Sequence, residues 1–146
     1  MNKILIFLVA NFYFTLLLAT YSVGDQISIS DQQINMDICN GHEPNNDSDT
    51  YMSLYDYNGG ENGGNYYVIY IDMSASWWVP CYSATGTVDQ IESHWESQSQ
   101  YNVLTFTSLD DIGLGIGEDG DGDYSCLEWA EGGSSNNNLI VDDGGD

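Results

Sequence analysis

The sequence predicts an α/β domain with a mostly parallel sheet. Residues 66–72 form a continuous apolar and aromatic run of strand length, and residues 102–109 form a second such run. Between them lies an amphipathic helical pattern, so the region predicts one strand–helix–strand unit with a right-handed crossover. Because the 66–72 run does not alternate with polar residues, we expect a central strand that is buried on both faces.

The N-terminal segment, residues 1–24, predicts a secretory signal peptide. Lys3 precedes an apolar stretch, which ends in the small or polar residues Ser22 and Gly24. An uncleaved membrane anchor is the alternative, but the polar Asn11 within the stretch and its short length favour cleavage. The mature protein is therefore expected in the periplasm or outside the cell. It would touch a membrane only if this segment stays uncleaved.

The charge of the chain excludes one class of partner. Lys3 is its only Lys or Arg, against 23 Asp and Glu residues, and the net charge is −22 at pH 7. Such a surface repels phosphate backbones and anionic membranes, so a nucleic-acid partner is excluded. Repulsion between the carboxylates is expected to be screened by salt or divalent cations.

The remaining elements follow from turn residues and short apolar runs. Residues 25–49 predict an irregular segment with one or two short strands, and residues 51–57 predict a strand that enters a glycine-rich turn. Residues 126–133 predict a short helix, and residues 139–141 predict the opening of a third strand. We assign the domain itself to residues 50–146.

The helix of the central unit is predicted to begin near Trp78 and to end near Gln98. Val88, Ile91 and Trp95 recur at helical spacing and mark the face that packs on the sheet. Glu92 and Glu96 are expected on the other side of the helix.

The three cysteines are Cys39, Cys81 and Cys126. An odd count leaves at least one thiol unpaired within a monomer, and all three pairings remain open at this point. His42 and His94 stand apart from the cysteines, so no zinc-ligand spacing is present.

The segment Trp-Trp-Val-Pro-Cys, which follows the first apolar run, carries a family resemblance. It resembles the Trp-Cys-x-Pro-Cys motif of thioredoxin-like redoxins, a family of exported thiol–disulfide oxidoreductases. The match places Trp77 on the family's tryptophan, Pro80 on its proline and Cys81 on its second cysteine. Trp78 occupies the position of the first cysteine, which supplies the attacking thiolate.

The resemblance covers residues 50–142 and implies a thioredoxin-like core. In that family a helix N-terminus stabilises the attacking thiolate, and the second thiol resolves the mixed disulfide. An indole has no such chemistry, so dithiol exchange within this one motif is impossible. The family also places a cis-proline on a later strand, whereas this chain has only Pro44 and Pro80. The domain is therefore expected to be truncated on its C-terminal side.

Two functional hypotheses follow from this resemblance. The first is an oxidoreductase without a cofactor, acting on protein thiols or disulfides or on a redox partner protein, with Cys81 and Cys126 as the catalytic pair. Loops after parallel strands gather at one sheet edge, which would bring these two cysteines together. A structural disulfide from Cys126 to Cys39 or Cys81 is the commoner outcome in an exported chain. The second hypothesis is a redox-inactive binding module that uses Trp78 and the surrounding loops.

The acidic segment around Asp119, Asp121 and Asp123 is a weak calcium candidate. These residues alternate like the first ligands of an EF-hand loop. The sixth position, normally glycine, is Tyr124, and the twelfth, normally glutamate, is Ala130. The pattern therefore favours a solvated loop over a specific metal site.

Overall fold

The computed structural model describes residues 21–45, 50–113, 123–132 and 138–144, so the predicted signal segment lies almost wholly outside the described residues. The chain divides into two compact units, Met1–Asp31 and Gln32–Asp146. In the first unit the backbone N–H of Ser22 donates to the Asp25 carboxylate (2.7 Å). None of the helices in the described part of the chain has the length and apolar character needed to span a bilayer.

Residues 25–40 form one helix and one strand. Helix α1 occupies Ile29–Gln32, where a strand had been an option, and the backbone N–H of Asp31 donates to the Ser28 hydroxyl (3.2 Å) at its start. A serine that accepts such a bond favours a helix start over extended backbone. The strand begins at Met36, after a connection of three residues.

The second unit contains a five-stranded sheet and two further helices. The strands are β1 Met36–Asn40, β2 Tyr51–Met52, β3 Val68–Ala75, β4 Val103–Asp110 and β5 Ile140–Asp142, the helices are α2 Val79–Glu96 and α3 Cys126–Glu131, and a 3-10 helix occupies Leu54–Tyr57.

The sheet has the order β2-β1-β5-β4-β3. Strands β3 and β4 are parallel, in register from Val68 opposite Val103 to Ala75 opposite Asp110, which confirms the predicted strand–helix–strand unit. Strand β5 is also parallel to β4, but β1 pairs antiparallel with both β2 and β5. The sheet of this α/β domain is therefore mixed, and the prediction of a mostly parallel sheet is wrong. Short connections such as that between β1 and β2 permit antiparallel pairing.

The predicted position of β3 is also wrong. It lies at the edge of the sheet, and its side chains are largely exposed, with Val68 at 68% and Met73 at 81%. The other three strands lie on the opposite side of β4, in the order β5, β1 and β2. No strand in the described part of the chain lies beyond β3.

The strand buried on both faces is β4. On one face Leu104 and Phe106 pack with residues of β2, β5 and the 3-10 helix, whereas on the other Leu109 packs with Trp129 of α3. Successive side chains of a strand point to opposite faces, so β4 serves two separate clusters. One cluster comprises Met52, Tyr57, Leu104, Phe106, Leu139 and Val141; the other comprises Leu109, Trp129, Ala130 and Ile140.

Residues 51–57, predicted as one strand, divide into the two-residue β2 and the 3-10 helix. The Ser53 hydroxyl donates to the Asp56 carboxylate (2.8 Å), and the buried Tyr57 hydroxyl donates to the buried Glu43. Such local side-chain bonds compete with strand pairing and turn the backbone out of the sheet.

Because the described residues include no Lys or Arg, we predict that added salt stabilises the fold. Raising NaCl from about 20 mM to about 0.5 M should increase the melting temperature by several degrees, since screening weakens carboxylate repulsion. Thermal unfolding followed by circular dichroism measures this. A series in an uncharged osmolyte is the control, and an equal response in both series would contradict the electrostatic cause.

Candidate functional site

The turn between β3 and α2 is held by the buried Ser76. Its backbone N–H donates to the carbonyl of Asp110 (3.0 Å), and its carbonyl accepts from the N–H of Tyr124 (3.3 Å). Its hydroxyl donates to the carbonyl of Asp111. The backbone of Asp111 has a φ of +52°, in the left-handed region that non-glycine residues rarely adopt. These bonds fix the turn against the end of β4.

Trp77 and Trp78 project from this turn into solvent. Each is 53% exposed, and their rings stack with centroids 6.4 Å apart and planes 28° apart. The Trp77 indole N–H donates to the carboxylate of Asp111 (3.0 Å), which orients the first ring. Two adjacent, half-exposed indoles form an apolar surface with polar edges at the start of α2.

The predicted motif lies at the N-terminus of α2, as the sequence indicates. Trp78 is the N-cap residue, and its carbonyl accepts from the N–H of Cys81 (2.9 Å). Pro80 is the second helical residue, where a missing N–H costs no helical hydrogen bond. Cys81 is the third helical residue, and its thiol is free and partly buried.

Cys126 forms a disulfide with Cys39, with their Cα atoms 6.1 Å apart. The predicted catalytic pair of Cys81 and Cys126 is therefore not bonded, and the structural alternative with Cys39 is present instead. The reason lies in the packing, because α3 begins at Cys126 and lies against β1, which carries Cys39. Cys81 and Cys126 nevertheless pack against the same cluster around Leu109 and Trp129.

An aromatic group behind the motif joins α2 to α3. Tyr82 stacks on Tyr124 with ring centroids 4.0 Å apart, and Trp129 meets both rings edge-on. Gly132 lies so close to the Tyr82 ring that a Cβ atom there would collide with it. This close packing fixes the first turn of α2, and with it Cys81.

The site has limited redox chemistry. A thiolate at Cys81 can attack an external disulfide and form a mixed disulfide. Release of the product then requires a second thiol, because an attacking thiol must displace the bound sulfur. The other two cysteines of the chain are bonded to each other. Resolution therefore depends on an outside thiol or on opening of the Cys39–Cys126 bond.

A cavity of about 750 Å³ lies near the other end of α2. Its walls come from the loop after β1, from α2, from β4 and from the residue before β5, and include His42, Glu92, Trp95, Glu96 and Leu139. We expected Glu92 and Glu96 on the side of the helix away from its apolar residues. Instead, Glu92 lines the cavity and is partly buried. The sequence signal was helical spacing, because Glu92 follows the buried Val88 by one turn and so lies on the same side of the helix.

The environment of Glu92 favours its neutral form. Burial, and then repulsion from Glu96 and Asp89, raise the pKa of Glu92 from its ordinary 4.5 to about 7. Asp89 is itself buried and accepts a hydrogen bond from the Asn138 side-chain amide. The carboxyl of Glu92 can therefore hold or release a proton near neutral pH.

Among the described residues, no group of three or more His, Cys, Asp or Glu side chains is arranged to hold a metal ion. Asp119 and Asp121, two of the calcium candidates, lie outside the described residues, whereas Asp123 lies within them. Calcium binding by this segment therefore stays a prediction that the described residues do not test.

Comparison of the chain with protein-family models, with curated proteins and with solved structures finds no match. The resemblance to thioredoxin-like redoxins therefore rests on the residues of this chain and their arrangement. Function has to be inferred from the residues of the site and their surroundings.

We predict that the Cys39–Cys126 bond stabilises the fold. The two cysteines are 87 residues apart, so the bond restricts a long loop of the unfolded chain. Cys39→Ala/Cys126→Ala should lower the free energy of unfolding by about 2–4 kcal/mol in urea titrations. The control, Cys81→Ala, should cost about 1 kcal/mol, since it removes one partly buried sulfur. Equal losses in both variants would show that the bond adds nothing beyond side-chain packing.

We predict that Glu92 makes the protein less stable as the pH rises. Its pKa is raised in the folded state, so the folded protein keeps a proton that the unfolded chain has lost, and stability falls between about pH 4.5 and 7. Glu92→Gln should therefore be more stable than the wild type above pH 7. After discounting for the solvent-exposed part of the side chain, the gain is on the order of 1 kcal/mol.

Urea titrations at pH 4.5 and pH 8 measure this difference. Glu131→Gln, which removes an exposed carboxylate from α3, is the matched control and should show little change with pH. A Glu92→Gln difference that is the same at both pH values would contradict the assignment.

Proposed function

We propose that this chain is a thioredoxin-like binding module that does not catalyse dithiol exchange. The support for the thioredoxin-like part is the parallel β3–α2–β4 unit, with the Trp-Trp-Val-Pro-Cys segment at the start of its helix. A strand that leads through a turn into a motif at a helix N-terminus is what the family resemblance implies.

The observation that carries the proposal is the Cys39–Cys126 disulfide, which leaves Cys81 as a lone thiol. Reduction of a substrate disulfide consumes two thiols, one that attacks and one that resolves the mixed disulfide. In this chain the first position of the family motif is Trp78, and the second thiol has no free partner within the chain. Without a thiol from outside the chain, Cys81 cannot complete a catalytic cycle.

The exposed indoles supply a binding surface in place of the missing thiolate. Trp77 and Trp78 are stacked and partly fixed by Asp111, so little side-chain freedom is lost on contact with a partner. Tryptophan is among the residues enriched at the energetic centres of protein interfaces. The module would hold its partner with these rings and the adjoining strand.

The disulfide also supports the proposed location. Such bonds persist in oxidising compartments and are rare in the cytoplasm. Together with the predicted signal segment at residues 1–24, this favours export to the periplasm or the extracellular space, with a protein as the partner.

An oxidoreductase remains the second candidate, because Cys81 and Cys126 pack against one cluster. In that case the Cys81 thiolate would attack the sulfur of Cys126, form a Cys81–Cys126 disulfide and release Cys39 as a thiolate. The exchange is electron-neutral and would make a thiol at Cys39 available to an outside disulfide.

Thiol counting and insulin reduction distinguish the two candidates. We expect one reactive thiol in the unfolded, unreduced protein and three after reduction. Wild type and Cys81→Ser should not accelerate the reduction of insulin by a reducing agent, whereas Trp78→Cys should, because it restores the family's dithiol. Trp77→Cys, which places a thiol one residue away from that position, is the matched control and should remain inactive.

Turnover by the wild type that Cys81→Ser abolishes would establish the enzyme and overturn the binding module. An inactive Trp78→Cys variant whose two thiols do not form a disulfide would argue against the thioredoxin-like geometry. Both outcomes are read from the same set of purified variants.

A further inference from the structure

The edge of β3 combines an unpaired backbone with exposed apolar side chains. Val68 (68%) and Met73 (81%) are the most exposed side chains of the strand, and Tyr70 and Ile71 are also exposed. These side chains belong to both faces of the strand, since successive residues alternate. Single exposed apolar residues are ordinary, but four within six residues of an edge strand are characteristic of an interaction site.

The backbone of β3 presents hydrogen-bonding groups outward. The N–H of Val68 donates to Asn102, and the N–H of Ser76 donates to Asp110, so the even-numbered residues face β4. In a parallel pair the alternate residues point away from the partner strand. Ile69, Ile71 and Met73 therefore turn their N–H and C=O groups toward the free edge.

Strand β3 has few of the features that normally protect an edge, and Asp72 is its one charged residue. Its eight residues pair with β4 in continuous register without a bulge, and they include no proline and no lysine. Natural proteins use these devices, or a covering helix or loop, to keep an edge from pairing. At about 3.3 Å per residue the free edge is about 26 Å long, enough for a whole added strand.

The charges near this edge are all negative. Asp72 lies within β3, Asp110 pairs in register with Ala75 at the end of the strand, and Asp111 follows in the chain. Partial burial, and then repulsion from Asp143 and Asp111, raise the pKa of Asp110, so these carboxylates repel one another. The described residues include no Lys or Arg to balance them.

A second copy of the chain is a poor occupant of this edge. Each copy would bring the same carboxylates and a net charge of −22. Like charges placed opposite one another disfavour association, whereas a cationic segment would be attracted and oriented.

We propose that the edge of β3 binds an extended segment of a basic polypeptide as a sixth strand. The proposal rests on the proposed binding function and names the partner's chemistry. Backbone N–H and C=O groups of the segment pair with Ile69, Ile71 and Met73. Its apolar side chains cover the exposed apolar side chains of β3, and its Lys or Arg residues lie near Asp72, Asp110 and Asp111. This is recognition by strand addition, in which the main chain supplies affinity and the side chains supply specificity.

The binding test uses three synthetic peptides of about ten residues. The first has alternating valine and threonine flanked by lysines; the second has glutamates in place of the lysines; the third keeps the lysines but replaces alternate threonines by proline. Calorimetry should show the tightest binding for the first peptide, with the other two at least about tenfold weaker. The proline peptide removes strand pairing while keeping the charge, so it isolates the backbone contribution.

Met73→Lys tests the location of the site. Met73 is 81% exposed, so its replacement leaves the core untouched. A lysine there disfavours strand pairing at the edge and repels the lysines of the peptide. Binding of the first peptide should weaken about tenfold. Leu127→Lys makes the same charge change at a 65% exposed position on α3 and should change binding by less than about twofold.

Amide hydrogen exchange on the wild type gives a readout that needs no variant. On binding, the amides of Ile69, Ile71 and Met73 should become protected, whereas those of Val68 and Ser76, which are already paired, should change little. Equal binding of the lysine and glutamate peptides, protection confined to other residues, or dimerisation through this edge without peptide would each overturn the proposal.

The two proposals fail in different ways. Insulin turnover by the wild type would reject the binding module as the function and leave the peptide result standing. Absence of peptide binding in a protein that is also inactive on insulin would reject strand addition alone.

Discussion

Burial of β4 on both faces holds the sheet together. Leu104 and Phe106 on one face belong to the first hydrophobic cluster. Leu109 on the other face belongs to the second. Each fully buried side chain of this kind contributes about 1.5–3 kcal/mol. The described part of the chain has no Lys or Arg with which to form ion pairs, so apolar burial must offset the repulsion between carboxylates. The position of every other strand follows from pairing with β4 directly or through β5.

The sequence predicted the existence of β3 and β4 and expected both to be buried, whereas β3 lies at the edge of the sheet. Both runs are apolar and of strand length, and nothing within residues 66–72 distinguishes a central strand from an edge strand. The distinction arises from β5, which pairs with β4 on the side away from β3. Because β5 also pairs antiparallel with β1, the same distant contact makes the sheet mixed. Local periodicity contains no information about such long-range pairing.

The candidate site shows the same division between local and distant causes. Trp78, Pro80 and Cys81 lie at the start of α2 as predicted, because proline near a helix start is a local signal. The partner of Cys126 could not be chosen among three pairings, since it depends on how α3 packs against β1. The expectation for Glu92 was wrong for a local reason. Glu92 follows Val88 by one helical turn, so helical spacing puts the two on the same side of α2, where the loop after β1, strand β4 and the residue before β5 also line the cavity.

The features that favour binding lie at one end of the strand–helix–strand unit. The free edge of β3 leads through the buried Ser76 directly into the two exposed indoles, so a strand paired along β3 would approach them in line. On the other side of the turn, the stacked Tyr82 and Tyr124 hold the start of α2 rigid. A binding surface fixed in this way loses little conformational entropy when a partner docks. Cys81 packs inward against the aromatic group, so the proposed recognition relies on backbone pairing, indole contact and carboxylate charge and not on this thiol.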